Sequence, residues 1–179
     1  MTTTTSTNLD IDRDTDVAHH RVDSPFGPLL LAATTRGLVR VAFEREDHEA
    51  VLAALATSVG HLRARSSRRT DDAVRQLDQY FAGQRRDFEL PVDLRLVRGF
   101  RRTVLGHVRD IAYGATESYA QVASAAGSPG AVRAVGSACS HNPVPLVVPC
   151  HRVLRSDGAI GEYLGGSEVK AALLAMEAA

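Results

Sequence analysis

The residue with the clearest chemical potential is Cys150, which follows Pro149 and precedes the pair His151-Arg152. A thiol attacks only as the thiolate, so its usual pKa of about 8.5 must be lowered by a nearby cation, base or helix N-terminus. His151 and Arg152 are the nearest candidates. In a strand His151 would point away from Cys150, whereas in a turn it could reach the thiol directly or through a water. For the pair alone, a buried structural cysteine beside a surface histidine is the favoured interpretation.

Metal binding is not expected, and no cofactor is implied. Adjacent Cys150 and His151 fit poorly around one tetrahedral ion, and the sequence holds no second cysteine pair. His19-His20 has no partners at useful spacing. The two cysteines, Cys139 and Cys150, lie within one stretch of 12 residues. They cannot link distant parts of the chain, so two reduced thiols are expected.

The size and composition indicate an ordinary globular protein. The 179 residues suffice for one domain or for two small ones that share an interface. No apolar run approaches the roughly 20 residues of a membrane helix. The N-terminal sequence, Met followed by a run of Thr, lacks the basic start and apolar core of a secretory signal. A cytoplasmic protein with no membrane partner is therefore expected.

The overall charge does not point to nucleic acid. With 21 basic and 21 acidic residues, the chain is unlike the strongly basic domains that often bind nucleic acids. Residues 99–152 carry five Arg and two acids, a local excess of +3. A modest basic face of this kind could contact phosphates. From charge alone, an ordinary solvated surface is favoured.

The first half predicts a small sheet with two helices. Residues 1–19 are rich in Thr and Asp and predict a disordered tail. The apolar runs 29–33 and 38–43 predict a β-hairpin. Asp47 is expected to cap one helix and Thr70 the next, with residues 61–69 as a loop between them. The second helix would bury Val74, Leu77 and Phe81, and residues 88–94 would form a strand or an extended linker.

The second half predicts a run of helices. One is expected from Phe100 to the Tyr113-Gly114 turn. Ser118 and Gln121 then fit a capping box, and Ser128-Pro129 has the residues of a second helix start. Residues 118–140 therefore predict a helix-turn-helix, although many such pairs are only structural. The strand-like apolar run 144–148 leads to Cys150, and Ser167 is expected to cap a last helix.

Short motifs in the second half occur together in one known family. The segment 149–153, preceded by Asn142-Pro143 and followed by residues 161–166, resembles the signature of the O6-alkylguanine-DNA alkyltransferases, the methylated-DNA–protein-cysteine methyltransferases. The resemblance covers residues 100–177. It is weaker in the first half, where it depends on residues 23–29 and 79–83. The other matching segments are 111–114, 118–119, 131–136 and 173–177.

The resemblance implies a fold and a function. The fold is α/β (α+β): a small sheet-plus-helices N-terminal domain, RNase H-like, over residues 20–94, then a mainly helical domain over residues 95–179. The implied function is DNA repair by direct reversal. An alkyl group moves from O6-alkylguanine, or from O4-alkylthymine, in double-stranded DNA to Cys150 after the base is flipped out. Each molecule acts once, as a monomer or, alternatively, in cooperative clusters on DNA.

The resemblance also implies roles for individual residues. Cys150 attacks the alkyl carbon, and His151 takes the thiol proton through a water. Glu177 orients His151, and Asn142 holds the turn that carries the motif. Tyr119 stabilises charge that develops on the leaving guanine.

The implied base pocket combines Tyr119 with Val153, Tyr163 and Leu164. Leu164 departs from the family, which usually has a small residue there. This leucine is expected to narrow the pocket and to favour small alkyl groups.

The implied DNA contact is the second helix of the pair, predicted over residues 129–140. Arg133 corresponds to the family's finger, which enters the base stack in place of the flipped nucleotide. The helix docks in the minor groove. Its small residues let the backbone approach DNA closely, or alternatively only ease helix packing. These residues are Ala131, Ala134, Gly136 and Ser137.

Two other functions explain part of the sequence. Some related proteins sense alkylated bases without repairing them, but they lack the reactive cysteine that Cys150 provides here. A Cys-His-Glu hydrolase would explain Cys150 and His151. It leaves Arg133 and the helix pair unexplained.

Overall fold

A four-stranded sheet forms the N-terminal half of the computed structural model, which describes residues 16–64 and 68–179. Its strands are β1 (Val17–Val22), β2 (Leu29–Thr34), β3 (Gly37–Ala42) and β4 (Leu62–Ala64), in the order β3-β2-β1-β4. β1, β2 and β3 pair antiparallel, and β4 lies parallel to β1. The predicted hairpin is confirmed as β2–β3.

Two predictions for this half have wrong boundaries. The tail predicted over residues 1–19 is too long, because Val17 and Ala18 are buried in β1. The remainder of that prediction, residues 1–15, lies outside the described residues. The loop predicted over residues 61–69 contains β4 and the start of a helix. Such a short strand is defined by its pairing with β1, which local sequence does not encode.

Two helices accompany the sheet. α1 (His48–Ser58) begins after Asp47, whose carboxylate accepts hydrogen bonds from the first-turn amides as predicted. α2 (Arg68–Phe81) begins before Thr70, so Thr70 is not its cap but a buried residue of its first turn. The buried stripe of α2 also differs from the prediction. Its deepest large side chain is Tyr80, while Val74 and Phe81 are only half-buried.

The second half consists of short helices joined by tight turns. α3 (Phe100–Arg109) is followed by β5 (Glu117–Ser118) and α4 (Tyr119–Ala125). α5 (Val132–Ser140) precedes a 3₁₀ helix (Cys150–Arg152), then β6 (Val153–Leu154) and α6 (Ser167–Glu177). β5 and β6 pair in parallel, which places the start of α4 next to the segment that follows Cys150. The predicted α/β fold, with a sheet domain followed by a helical part, is confirmed.

The helix boundaries refine the predictions. Ser118 and Gln121 form the predicted capping box of α4. α5 begins three residues after Pro129, at Val132, so Ser128-Pro129 belongs to the turn and not to the helix. α3 ends at Arg109, short of Tyr113-Gly114, and the cap of α6 is Gly166 instead of Ser167.

The apolar run 144–148 is not the strand that its composition suggested. All of its residues are buried, but they form successive turns, and Leu146 has a φ of 73°. Pro145 interrupts the run, and Pro cannot donate to a β-ladder. The chain therefore reaches Cys150 through a folded loop, and Cys150–Arg152 form a 3₁₀ turn and not a strand.

One hydrophobic core joins the two halves. It contains Leu31 of β2 and Tyr80 of α2 together with Val104 of α3, Val148 and Leu173 of α6. This core is therefore shared by the two halves, while two smaller apolar clusters, around Leu55 and Leu52 of α1, belong to the N-terminal half alone. The predicted boundary near residue 95 stays a prediction. Among the residues that the structure describes, no helix has the length and apolar character needed to cross a membrane.

The helix pair gives a matched test of these boundaries. Ser118→Ala removes the side-chain cap of α4 and should lower the free energy of unfolding by about 1 kcal/mol. Ser128→Ala, the control, alters a serine that does not cap α5 and should change stability by less than about 0.5 kcal/mol. Chemical denaturation measures both. Equal losses for the two variants would mean that the boundary of α5 is misplaced.

Candidate active site

The loop before Cys150 is held by one buried side chain, Asn142. Its Nδ2 donates to the carbonyl oxygen of Val148 at 2.8 Å, and its Oδ1 accepts from the amide of Val144 at 3.0 Å. The same Nδ2 donates to Cys150 Sγ at 3.2 Å. The single side-chain amide of Asn142 therefore holds the loop in place and contacts the thiol.

Cys150 is a buried thiol, with 2% of its surface exposed. Burial raises the pKa of Cys150 to about 11, against the opposing effects of the hydrogen bond from Asn142 and the charge of Lys170. His151 and Arg152 were the nearest candidates for lowering this pKa, but the Arg152 guanidinium binds Glu177. Cys150 is therefore protonated at neutral pH, and the proton must leave as the sulfur attacks.

His151 follows Cys150 directly and is buried against Glu177. The ring is fully buried, and its Nε2 lies 2.8 Å from Glu177 Oε1. Because a carboxylate only accepts, Nε2 carries the hydrogen and Nδ1 is left with the basic lone pair. Nδ1 is buried and has no hydrogen-bond partner among the described residues. Burial lowers the pKa of His151, against the opposing effect of Glu177, so the imidazole is neutral and can act as a base.

Glu177 is a buried carboxylate that accepts hydrogen bonds from three side chains. Arg152 donates to it from Nε at 2.8 Å and from Nη2 at 2.9 Å, and His151 donates from Nε2. The third donor is the hydroxyl of Tyr80, at 2.6 Å from Oε1. Burial would raise the pKa of Glu177, but the hydrogen bonds from His151 and Arg152 hold it well below its ordinary value.

Lys170 is an active-site residue that the sequence analysis missed. Its side chain is buried, and Nζ donates to the carbonyl oxygen of Val153 at 2.6 Å and lies 5.8 Å from the centre of the Tyr119 ring. Lys170, Leu173 and Glu177 are the buried residues of α6. Their i, i+3, i+7 spacing marks a single helix face and was the signal that could have revealed this lysine.

A small cavity of about 110 Å³ opens onto Cys150. Burial raises the pKa of Tyr119 to about 12, so its phenol stays a hydrogen-bond donor. The buried hydroxyl of Tyr163 has no partner in the described parts of the chain. Val153, also expected in the base pocket, does not line the cavity. The lining residues are Tyr119, Cys139, Ser140, Cys150, Glu162, Tyr163 and Leu164.

α5 carries the residues expected to contact DNA. Arg133 is exposed in its first turn, and Gly136 faces open space, with no described atom within 4 Å of a Cβ built there. Ala131 is the N-cap. Ala134 and Ser137 line a second cavity, of about 800 Å³, beside the helix. The last residues of α5 line the cavity at Cys150, so the helix leads from an exposed face to the thiol.

A metal centre is not evident. Within residues 16–64 and 68–179, no group of three or more His, Cys, Asp or Glu residues is placed to hold an ion. Cys139 and Cys150 are both free thiols.

Comparisons with known proteins agree with this geometry. Residues 17–94 match the family model described as 6-O-methylguanine DNA methyltransferase, ribonuclease-like domain, and residues 99–179 match the DNA binding domain of the same description. A methylated-DNA–protein-cysteine methyltransferase of Mycolicibacterium paratuberculosis is 38% identical, over 90% of this chain and 92% of the relative. The constitutive Bacillus subtilis protein of that name is 36% identical, over 87% of this chain and 92% of its own.

A similar solved structure is that of Mycobacterium tuberculosis OGT in complex with DNA. It aligns with a TM-score of 0.78 and 37% sequence identity, and the match covers 91% of this chain and 92% of that one. An O6-methylguanine-DNA methyltransferase from Pyrococcus kodakaraensis aligns with a TM-score of 0.68 and 25% identity, over 91% of this chain and 99% of that one.

The charge of Lys170 is predicted to act on the thiol. Lys170→Met removes a cation that lowers the pKa of Cys150, so this pKa should rise further above about 11. Ultraviolet titration of the thiolate, in a Cys139→Ala background, measures it. Lys170→Arg keeps the charge and is the control. An unchanged pKa in the Met variant would show that Lys170 acts only through packing.

Proposed function

The chain belongs to the 6-O-methylguanine DNA methyltransferase family, and we propose that it repairs DNA by moving an alkyl group from guanine O6 to Cys150. The observation that carries the proposal is the position of Cys150, which lines a small cavity at the end of α5 and is followed directly by the buried base His151. A nucleophile, a base and an orienting carboxylate form the triad logic of covalent catalysis.

The proposed reaction is an in-line displacement at the alkyl carbon. His151 Nδ1 takes the thiol proton through a water, and Glu177 stabilises the imidazolium that results. A carbon–sulfur bond forms as the carbon–oxygen bond breaks, and the bonding electrons leave with guanine. The Tyr119 phenol donates a hydrogen bond to the charge that develops on the base. The proton held by His151 finally neutralises the guanine, so the net reaction exchanges an alkyl group for a proton.

The raised pKa of Cys150 fits a reaction that occurs once. A buried thiol is protected from stray electrophiles until a base withdraws its proton. After transfer the sulfur is part of a thioether, which water does not displace. Each molecule is therefore expected to accept one alkyl group and then to remain modified.

Access to the base requires it to leave the duplex, because O6 within the helix lies out of reach of a buried thiol. We propose that α5 docks in the minor groove, where little sequence can be read and a repair protein needs little. Arg133 then takes the place of the extruded nucleotide. The small residues Ala131, Ala134, Gly136 and Ser137 allow close approach. The proposed partner is double-stranded DNA that carries O6-alkylguanine or O4-alkylthymine, bound by a monomer or in cooperative clusters.

Mass spectrometry tests the transfer directly. After mixing with duplex DNA that contains O6-methylguanine, the protein should gain one methylene's worth of mass on the Cys150 peptide, at one methyl per molecule. Cys139→Ala, which alters the other thiol of the cavity, should still gain it. Cys150→Ala should bind the DNA and gain nothing.

The other candidate functions give different results in this experiment. Bound DNA without any mass gain on the wild-type protein would indicate a lesion sensor. Turnover of an ester or amide without permanent modification would indicate a hydrolase.

The finger role of Arg133 is predicted to appear only with duplex substrate. Arg133→Ala should slow transfer from duplex DNA by at least about tenfold, because the few kcal/mol of lost stacking are no longer offset. Transfer from the free modified guanine base should change little. Arg75→Ala, an exposed arginine of α2, controls for charge loss. Equal slowing with duplex and free base would contradict the role.

A further inference from the structure

A single hydroxyl connects the N-terminal half to the proposed active site. Tyr80 of α2 is fully buried, and its Oη donates to Glu177 Oε1 at 2.6 Å across a separation of 97 residues. The same oxygen accepts from His151 Nε2 at 2.8 Å and from Arg152 Nη2 at 2.9 Å. Three donors therefore share one carboxylate oxygen that has two lone pairs.

We propose that Tyr80 is a positioning residue of the transfer reaction: its hydroxyl fixes the Glu177 carboxylate and limits how strongly that carboxylate draws a proton onto His151. The proposal rests on the proposed function, because it assigns His151 the role of base. It gives the N-terminal half, described in the family as a ribonuclease-like domain, a role in the reaction.

The hydrogen bond runs in one direction only. Glu177 is an acceptor because Arg152 and His151 keep it ionised, so Tyr80 must be the donor. Burial and the neighbouring Glu177 raise the pKa of Tyr80 well above its ordinary value, so the phenol retains its proton throughout the accessible pH range. Hydrogen bonds to a charged partner are among the strongest in proteins.

The groups that set the basicity of His151 come from several elements. Glu177 and Lys170 belong to α6 and Arg152 belongs to the 3₁₀ helix, while the Tyr163 ring, from the loop before α6, lies 6.2 Å from the imidazole centroid. Tyr80 acts on His151 only through Glu177. Each hydrogen bond that Oε1 accepts reduces the negative charge with which this oxygen can stabilise a protonated His151. Loss of the tyrosine hydroxyl should therefore make Glu177 stabilise the imidazolium more strongly.

The ring of Tyr80 can be kept while its hydroxyl is removed. It packs against Phe81, Phe88 and Tyr113 at centroid distances of 5.5, 5.1 and 6.2 Å. A phenylalanine fills the same space in this aromatic cluster. Tyr113→Phe is the matched control, because the Tyr113 hydroxyl faces the backbone oxygen of Met176, at 3.4 Å, and not the carboxylate.

The experiment measures single-turnover transfer from O6-methylguanine duplex DNA as a function of pH. In Tyr80→Phe the pKa of His151 should rise, so more of the histidine is already protonated at low pH and cannot accept the thiol proton. The acidic limb of the rate profile should therefore move to higher pH by at least about half a unit. Tyr113→Phe should leave the limb within about 0.2 units of wild type. An unmoved limb in Tyr80→Phe overturns the proposal.

A second measurement does not depend on transfer. Nitrogen NMR of the His151 ring reports its pKa in the free protein, and Tyr80→Phe should raise that pKa by a similar amount. Replacing Tyr80 with difluorotyrosine keeps the fold and strengthens the donor, so the pKa should fall instead. Equal His151 pKa values in wild type and either variant overturn the proposal. Failure of the proposed function is separate, because it would appear as wild-type protein without a methyl group on Cys150.

Discussion

The buried charge of Glu177 constrains the rest of the structure. A carboxylate removed from water is costly unless it is paired and hydrogen-bonded. Here Arg152 supplies two donors, His151 and Tyr80 supply one each, and the amide of Gly114 lies at 3.5 Å. These donors come from α2, the turn after α3 and the 3₁₀ helix, while Glu177 ends α6. The hydrogen bonds to this one carboxylate therefore hold four parts of the chain together.

The same constraint explains why the base is buried and neutral. Burial lowers the pKa of His151 and raises the pKa of Cys150. Both groups are therefore uncharged at neutral pH. In such a low-dielectric site, a fixed carboxylate stabilises an imidazolium more strongly than it would in water. In the proposed reaction both groups are uncharged before the substrate binds, and the imidazolium forms as the sulfur attacks the alkyl carbon. The hydrogen bond from Asn142 and the charge of Lys170 both lower the pKa of Cys150 and so favour its thiolate.

The absence of net charge is compatible with DNA binding because the contact is local. α5 exposes Arg133 and open space at Gly136, and its far end lines the cavity at Cys150. The helix therefore joins the proposed DNA face to the thiol without a large basic surface. The buried residues of this helix, Val135, Ala138 and Cys139, pack into the core.

The sequence by itself determined the fold class and the helix pair, and it singled out Cys150 as the proposed nucleophile. Cys150 is embedded in local motifs, and the cap of α4 is a contact between Ser118 and Gln121, three residues apart, so both can be read from neighbouring letters. The tertiary structure alone decided what surrounds the thiol. Arg152, one of the two neighbours considered for lowering the pKa of Cys150, instead binds Glu177, whereas the charge of Lys170 lowers that pKa. Tyr80 reaches the site from 97 residues away. An unpaired charge is costly to bury, so each buried charged group needs a partner. Which partner it finds depends on the surfaces that the folded chain brings together and not on spacing along the sequence.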